Sequence, residues 1–293
     1  MFIDVHSHLI LFPTCPRPSD GKQPYPTPER MLEYYDGIGV EKSIILPVVS
    51  PDSNYRCQSN DEILEICRRY PDRFVPFCNM DPRNMMNNPD ADLEYVLKYY
   101  RDKGCKGVGE ITANMRMDDA RVHNLFAAAQ SAGLPVTIHI GTRIGGMYGL
   151  VDEAGLPRLE EVLQKFPDLK IFGHSQPFWA EISANPTWEE RNGYPKGPVT
   201  EGRVAELLRK YPNLYCDVSA GSGCNALSRD EAYGLKFIEE FQDRMMFGID
   251  TYSTPDNPPP LMRYMKKLHS ENKITEAVYN KLARENAIRI LGL

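Results

Sequence analysis

The feature that most constrains the fold of this chain is a regular alternation of short apolar runs with longer amphipathic stretches. Eight runs rich in β-branched and aromatic residues are each followed by a stretch with helical spacing. The apolar runs span residues 2–5, 42–48, 73–78, 105–111, 135–140, 169–172, 213–218 and 245–249. The amphipathic stretches span residues 28–35, 62–70, 91–101, 121–132, 159–166, 202–211, 231–241 and 260–268. Continuous apolar runs of this length are typical of strands buried on both faces of a parallel sheet.

Short proline-containing turns mark several boundaries between a helix and the next strand. Pro71, Pro167 and Pro212 each follow an aromatic residue at the end of a predicted helix, which proline cannot continue. Strict alternation implies right-handed crossovers, and eight such units in 293 residues predict a (β/α)8 TIM barrel, an α/β fold. A doubly wound open sheet is the rival fold, but the glycine-rich turn of a dinucleotide site is missing after the first strand.

The chain contains no linker, low-complexity tract or short repeat, so we expect a single domain over residues 1–293. Residues 274–293 lie beyond the last barrel unit. They predict a short C-terminal helical tail packed outside the barrel.

The charge balance and the cysteine content exclude several classes of protein. With 34 lysines and arginines against 40 acidic residues, the net charge is −6, and the chain lacks the basic footprint of a nucleic-acid-binding protein. No apolar stretch approaches the roughly 20 residues that a membrane span needs, so neither nucleic acid nor a membrane is an expected partner. The seven cysteines are scattered without a C-x-x-C spacing and the N-terminus has no signal-peptide pattern, which together favour a cytoplasmic protein.

Five side chains with metal-ligating chemistry follow the predicted strands at their carboxyl ends. His6 and His8 follow the first run and lie two residues apart, so they point to the same side of the strand. His139, His174 and Asp250 end or follow the fifth, sixth and eighth runs. Because barrel enzymes place their chemistry at the carboxyl ends of the strands, these residues are predicted to meet at one mouth of the barrel.

Each histidine taken alone has a plainer interpretation, since a core histidine can be satisfied by a backbone carbonyl and an H-x-H pair also occurs by chance. The coincidence of four histidines and one aspartate at strand ends favours a metal site instead. Imidazole and carboxylate ligands suit zinc, and an open coordination position is typical of a catalytic site. Ligation without cysteine also tolerates manganese or iron, so zinc is the first expectation and manganese the second. No organic cofactor is expected.

The motifs around these residues resemble those of the amidohydrolase superfamily. The amidohydrolase-related branch that includes aminocarboxymuconate-semialdehyde decarboxylase has motifs similar to IDVHSH (residues 3–8), FGHS (172–175), FGID (247–250) and ENA (285–287). The resemblance covers nearly the whole chain and implies a barrel with one divalent ion held by His6, His8, His139 and Asp250. It also implies that His174 is a nearby acid/base or orienting group, and that the protein could form a homodimer. Asp250 or His174 would then take the proton of a metal-activated water.

Glu110 ends the fourth predicted strand and has three open roles. Superfamily members with two metals often carry a carbamylated lysine at this position, but Lys106 lies at the opposite end of the strand. Glu110 could bind a second metal, orient a histidine through a hydrogen bond, or be a structural acid at the top of the barrel.

The loops after the strands are predicted to carry substrate specificity. Segment 176–198 is predicted to be a long loop without regular structure, and its Phe178 and Trp179 could stack on a flat ring. The alternative is that its aromatic residues anchor the loop on the barrel rim. Arg17 and Arg143 could grip a substrate carboxylate, with plain surface solvation as the competing interpretation. Segment 219–223 is predicted to be a glycine-rich rim loop.

Three functions are compatible with this pattern. The first is a metal-dependent hydrolase that attacks a C–O or C–N bond of a small carboxylated or cyclic substrate. The second is a nonoxidative metal-dependent decarboxylase of an aromatic or muconate-like acid, which would use the same ligands. The third is a catalytically silent barrel that binds a ligand, and the completeness of the metal set argues against it. The expected partner is a small-molecule substrate.

Overall fold

The computed structural model describes residues 1–251, 253–254 and 257–293 and confirms the α/β TIM barrel. Each of the eight apolar runs overlaps a parallel strand. The strands are β1 (Phe2–Ser7), β2 (Val40–Ile45), β3 (Phe74–Pro76), β4 (Val108–Ile111), β5 (Val136–Gly141), β6 (Ile171–His174), β7 (Leu214–Asp217) and β8 (Met245–Met246). One additional short strand, Leu150–Val151, pairs with β5 from the loop that follows it.

The strands form a closed ring. Regular ladders join β1, β2 and β3, and join β4 through β8 in order. Between β3 and β4, the Cys78 amide donates to the Gly107 carbonyl at 3.0 Å. Between the two ends of the series, the amides of Val5 and Asp250 donate to the carbonyls of Phe247 and His6, at 3.0 and 2.9 Å. The carboxyl ends of all eight strands therefore surround one mouth.

A helix follows each barrel strand, as the amphipathic stretches predict. These helices are α1 (Pro28–Ile38), α2 (Asn60–Arg69), α3 (Leu93–Asp102), α4 (Ala120–Ala132), α5 (Pro157–Lys165), α6 (Arg203–Lys210), α7 (Glu231–Phe241) and α8 (Pro260–Ser270). Their starts carry ordinary signals: Ser59 and Asp119, for example, cap α2 and α4 with their side chains. Among the described residues, no helix is long and apolar enough to cross a membrane.

Four short helices lie in the loops, and three of them correct the predictions for two segments. They are Asn84–Asn87, Gln176–Ala180, Trp188–Arg191 and Ala220–Ser228. Segment 176–198 therefore contains two short helices and is not structureless. The second of them begins at a reciprocal capping box formed by Thr187 and Glu190. Segment 219–223 is not a loop but the start of a helix, which packs tightly: a Cβ on Gly223 would lie 2.6 Å from the Val218 carbonyl oxygen.

The C-terminal tail lies across the N-terminal end of the barrel. It comprises a helix over Glu276–Asn280, a π-helical turn over Lys281–Glu285 and a helix over Asn286–Leu291. Ala287, Ile290 and Leu291 pack against strand residues such as Ile3 and Val75 in one apolar cluster. The ammonium groups of Lys106 and Lys170, which precede β4 and β6, donate to carbonyls of the last helical turn. This end of the barrel is thus sealed by apolar side chains.

Candidate metal centre

The imidazole of His6 lies at the centre of a buried cluster at the carboxyl mouth of the barrel. Its Nε2 lies 3.2 Å from Nε2 of His8. The same atom lies 3.6 Å from Oε2 of Glu110 and 3.6 Å from Oδ1 of Asp250. Nε2 of His8 is nearly equidistant from these two carboxylates, at 3.7 and 3.8 Å. The prediction that His6 and His8 point to one side of β1 is confirmed by these distances.

A β-bulge in β1 gives the two ends of that strand different roles. Between Asp4 and Ser7, strand β1 has one residue more than its partner β2. An extra residue of this kind reverses which side chains of the strand face inward. Asp4 faces helix α1, where it accepts the hydroxyl hydrogen of Tyr35 at 2.6 Å. His6, two residues later, faces the barrel mouth.

His139 and His174 join the cluster by their contacts with the carboxylates of Glu110 and Asp250. Nδ1 of His139 lies 2.6 Å from Oε1 of Glu110. Nε2 of His174 lies 3.7 Å from the same oxygen and 3.4 Å from Oδ2 of Asp250. Asp250 has a positive φ of 50°, a conformation that costs a non-glycine residue roughly 1–3 kcal/mol and is concentrated at functional sites.

The donor atoms fit a divalent metal ion. Three overlapping triads have ligand atoms that all lie within 4.8 Å of one another: His6, His8 and Glu110; His6, His174 and Asp250; and Glu110, His139 and His174. Neutral imidazole nitrogens and carboxylate oxygens are ligands that zinc and manganese accept. The four predicted ligands are brought to one place, and Glu110 lies among them. The short contact between Glu110 and Nδ1 of His139 fits a role in orienting that ring. The distances from Glu110 to Nε2 of His6 and His8 fit the alternative, in which Glu110 is itself a metal ligand.

Groups outside the cluster orient three of its imidazole rings. Nδ1 of His6 lies 2.6 Å from Oδ2 of Asp217, the last residue of β7. Nδ1 of His8 donates to the Leu46 carbonyl at 2.9 Å, and Nδ1 of His174 lies 3.0 Å from the Ser219 hydroxyl. Each partner fixes a ring so that its Nε2 faces the centre. The sequence analysis missed Asp217 and Ser219, although an aspartate at the carboxyl end of a strand was a signal for the former.

The charges within the cluster compensate one another. Burial lowers the pKa of His6, but the carboxylates of Asp250, Asp217 and Glu110 outweigh burial and raise that pKa well above its ordinary value. Burial also works against ionisation of Glu110, and the nearby charges of His139 and His6 hold its pKa well below the ordinary range. The carboxylates therefore stay ionised in a buried site, which is the condition that a divalent cation requires.

A cavity of 430 Å³ opens next to the cluster. Its polar lining includes Glu110, Asp250, Ser53, Thr112, Gln176, Tyr25, Tyr34, Tyr148 and Tyr194. The ring of Tyr25 lies 5.2 Å from that of His8, and the ring of Tyr148 lies 4.4 Å from that of His139. Among the described residues that line this cavity, none is a lysine or an arginine. The cavity therefore combines aromatic walls and hydroxyl groups with two carboxylates.

The four residues predicted to bind substrate lie elsewhere. Phe178 is fully buried against Gly173, and the indole N–H of Trp179 donates to the Asp217 carbonyl at 3.1 Å, so both fit the anchoring alternative. Arg17 lines a second groove, which shares Tyr25 and Ser53 with the cavity, and pairs with Asp20 at 2.6 Å. The guanidinium of Arg143 lies 5.7 Å from the ring centre of Trp188 on the loop surface. Among the described residues, the aromatic groups at the cavity are tyrosines instead.

Comparisons with known proteins agree with this architecture. The family model described as Amidohydrolase matches residues 3–293. An uncharacterised TIM-barrel protein from Bordetella bronchiseptica is 22% identical, with a TM-score of 0.67 over 99% of this chain and 98% of its own. A dihydroxybenzoic acid decarboxylase from Polaromonas sp. JS666, with bound manganese and an inhibitor, is 16% identical, with a TM-score of 0.62 over 100% and 97%. A probable 2-pyrone-4,6-dicarboxylic acid hydrolase from Acinetobacter baumannii is 12% identical, with a TM-score of 0.60 over 100% and 99%. The sequence matches no curated protein.

Proposed function

This chain belongs to the amidohydrolase family, and on that premise we propose that it is a metal-dependent hydrolase of a small, uncharged cyclic substrate. The bond attacked is a C–O or C–N bond, as in a lactone or a cyclic amide. The proposed ligands of the metal are His6, His8, His139 and Asp250. Zinc is the first candidate and manganese, which the Polaromonas protein binds, is the second.

The charge of the cavity supports hydrolysis over decarboxylation. Glu110 and Asp250 both line it, and no described residue of the lining carries a cationic side chain other than histidine. The three residues outside the description, Tyr252, Pro255 and Asp256, are not cationic either. A substrate carboxylate would therefore have to approach two buried carboxylates, with only the metal and the histidines of the cluster as positive partners. Burial of a charge without a matched partner is costly, whereas an uncharged lactone or amide avoids this cost.

The bound ion would supply Lewis acidity, because a catalytic zinc lowers the pKa of a water molecule to about 7 and polarises a carbonyl. The protein would then handle the protons. Oδ2 of Asp250 lies 3.4 Å from Nε2 of His174, so a proton accepted by Asp250 from the attacking water can pass to His174. The Ser219 hydroxyl, 3.0 Å from Nδ1, holds the His174 ring in the orientation for delivery to the leaving group.

The tyrosines near the cluster would contact the substrate with their phenol groups protonated. Burial, with smaller contributions from Glu110 and Asp250, raises the pKa of Tyr25 to about 12. Burial also raises the pKa of Tyr148, and the same two carboxylates add to the shift. Both phenols therefore keep their protons at neutral pH, and each could donate a hydrogen bond to an oxygen of the substrate.

Metal-dependent turnover of matched substrates tests this proposal. The protein is stripped with a chelator, reloaded with zinc or manganese, and offered uncharged lactones and cyclic amides beside carboxylated phenols. We expect acid release from the uncharged compounds only in the reloaded protein. Because four tyrosines would also suit a planar aromatic acid, the second candidate is decarboxylation. Release of carbon dioxide from the carboxylated phenols, without hydrolysis of the uncharged compounds, would replace the hydrolase with a decarboxylase.

The metal content tests the role of Glu110 separately. We expect one divalent ion per chain by elemental analysis of the reloaded protein, with Glu110 beside it as an orienting carboxylate. Two ions per chain would make Glu110 a ligand of the second ion and would overturn the single-metal proposal. Absence of both zinc and manganese from the reloaded protein would overturn the metal-dependent mechanism altogether.

A further inference from the structure

One wall of the cavity is built by a tyrosine that packs over a glycine. Tyr194 follows the short helix Trp188–Arg191 and lines the cavity with about half of its surface exposed. It lies over Gly221, in the first turn of the helix Ala220–Ser228. A Cβ on Gly221 would lie 3.1 Å from both Cε1 and the hydroxyl oxygen of Tyr194. A side chain at residue 221 would make the tyrosine ring shift by a few tenths of an ångström.

A buried arginine anchors the helix that leads to this tyrosine. Arg191 is only 4% exposed, and its Nη2 donates to the carbonyls of Asp152 and Glu153 at 3.2 and 3.0 Å. Its Nε lies 2.9 Å from a carboxylate oxygen of Glu181, which is also buried and accepts the Gly155 amide. The two hydrogen bonds from Nη2 fix the position of the segment, whereas the buried ion pair with Glu181 contributes little net stability.

The same segment is tied to the loop that carries the second cavity tyrosine. The hydroxyl of Thr142 donates to Oδ1 of Asn192 at 2.8 Å. The guanidinium of Arg143 lies over the Trp188 ring. Tyr148, six residues beyond Thr142, places its ring against His139 in the metal cluster. The two loops, each with one cavity tyrosine, therefore support each other at the mouth of the barrel.

We infer that Tyr194 determines which ring-bearing substrates the site accepts, and that Arg191 is the positioning residue that holds Tyr194 in place. The inference rests on the proposed function for the identity of the reaction, but not for the binding of a ring. An uncharged planar group packs against the face of a tyrosine, and such a contact requires that the ring be held at a fixed position. Neither residue takes part in the chemistry at the metal cluster.

Binding of 2-naphthol, an uncharged planar ring, tests the inference without any turnover. Equilibrium dialysis measures its affinity for metal-loaded protein. We expect Tyr194→Ala to weaken binding about tenfold, the size of one lost aromatic contact. Tyr194→Phe, which keeps the ring, should restore most of the affinity, and Tyr95→Ala, an exposed tyrosine on α3, should leave it unchanged. Unaltered binding of 2-naphthol by Tyr194→Ala would overturn the inference.

A double-mutant cycle separates positioning by Arg191 from a merely structural role. We expect Arg191→Met to weaken 2-naphthol binding in the wild-type background and to have no further effect in Tyr194→Ala. Additive losses would overturn the positioning role. If Arg191→Met does not fold, Gly221→Ala shifts the Tyr194 ring without touching the anchor and should weaken binding, by less than Tyr194→Ala does. Wild-type affinity of Gly221→Ala for 2-naphthol would then contradict the inference that Tyr194 must be held at a fixed position.

Hydrolysis of dihydrocoumarin, a lactone fused to an aromatic ring, links the wall to the proposed reaction. We expect Tyr194→Ala and Arg191→Met to raise KM for this lactone by about the factor by which naphthol binding weakens, with a smaller effect on kcat. If no lactone is cleaved but naphthol binding still depends on Tyr194, the hydrolase proposal fails and the inference stands. If lactones are cleaved and naphthol binding does not depend on Tyr194, the hydrolase proposal stands and the inference about Tyr194 fails.

Discussion

The two ends of the barrel are built from the same eight strands and have opposite chemistry. At the carboxyl mouth, four histidines, Glu110 and Asp250 gather beside an open cavity. At the other end, apolar residues of the strands pack against the C-terminal helix, and the groove beside Leu291 is smaller, at 240 Å³. The first arrangement keeps buried charges in a fixed geometry, and the second removes apolar surface from water. We therefore expect changes at the mouth to alter activity and changes at the base to alter stability.

Strand β1 contains both kinds of chemistry within its six residues. Ile3 and Val5 belong to the apolar cluster at the base, whereas His6 lies in the histidine–carboxylate cluster at the mouth. The bulge between Asp4 and Ser7 lies where the strand passes from the apolar cluster at the base to the polar cluster at the mouth. A single strand thus shows that position along the barrel axis, rather than residue type alone, decides whether a side chain serves packing or chemistry.

Asp250→Asn is expected to have the largest effect on activity. The amide cannot accept the proton of the attacking water and removes the negative charge that faces His6 and His174. We expect kcat/KM for the best lactone to fall by about 10²–10⁴-fold, the usual contribution of an acid–base group. Thermal unfolding measured by circular dichroism should remain cooperative.

The exposed residue Asp168 provides the control, since Asp168→Asn makes the same chemical change on the surface between α5 and β6. It should leave kcat/KM unchanged. Equal losses in both variants, or full activity in Asp250→Asn, would contradict the separation of the two barrel ends.

Leu291→Ala is the matching change at the base. Leu291 is 6% exposed within the apolar cluster, and truncation of such a leucine usually lowers the free energy of unfolding by about 2–5 kcal/mol. Urea unfolding followed by circular dichroism measures this loss, while kcat/KM at 25 °C should stay within about twofold of the wild type. Met86→Ala, at a side chain that is 94% exposed, should alter the free energy of unfolding by less than about 0.5 kcal/mol. A large loss of activity in folded Leu291→Ala would mean that the base is coupled to the mouth.

The barrel and the gathering of His6, His8, His139, His174 and Asp250 at one mouth could be predicted from the sequence because their signals are local. Each strand is a continuous apolar run, and each predicted ligand lies at or just beyond the carboxyl end of a run. The barrel topology then brings those ends together. The capping box at Thr187 and Glu190 was equally local, and it could have identified the helix Trp188–Arg191 within the segment predicted to lack structure.

The remaining features depend on contacts between distant parts of the chain. Asp217 approaches His6 from 211 positions away, and nothing near either residue specifies that pairing. Phe178 turns inward because Gly173 leaves room for its ring, where a Cβ would lie 2.3 Å from Cε2. Its aromatic character alone could not distinguish a substrate contact from an anchor.

Expressed as a free energy, the effect of Ser219→Ala is expected to be the smallest of the three, about 1.4 kcal/mol for a tenfold loss. The change tests whether groups around the mouth act through geometry. The Ser219 hydroxyl is buried and lies 3.0 Å from Nδ1 of His174, while the Ser219 amide donates to Oδ1 of Asp217. Removal of the hydroxyl leaves the amide contact intact and the imidazole less firmly oriented. Loss of such an orienting partner usually costs about tenfold or more, so we expect kcat for the best lactone to fall about tenfold with little change in KM.

The control is Ser222→Ala, at a second buried serine in the helix that follows Ser219. It removes the same hydroxyl group from the same region and should leave kcat unchanged, while both variants should unfold within about 1 kcal/mol of the wild type. Equal effects of the two variants on kcat would mean that packing around β7, rather than the orientation of His174, limits the reaction. A loss confined to Ser219→Ala would show that one hydroxyl group at the mouth affects catalysis, whereas three carbon atoms can be removed at the base without affecting it.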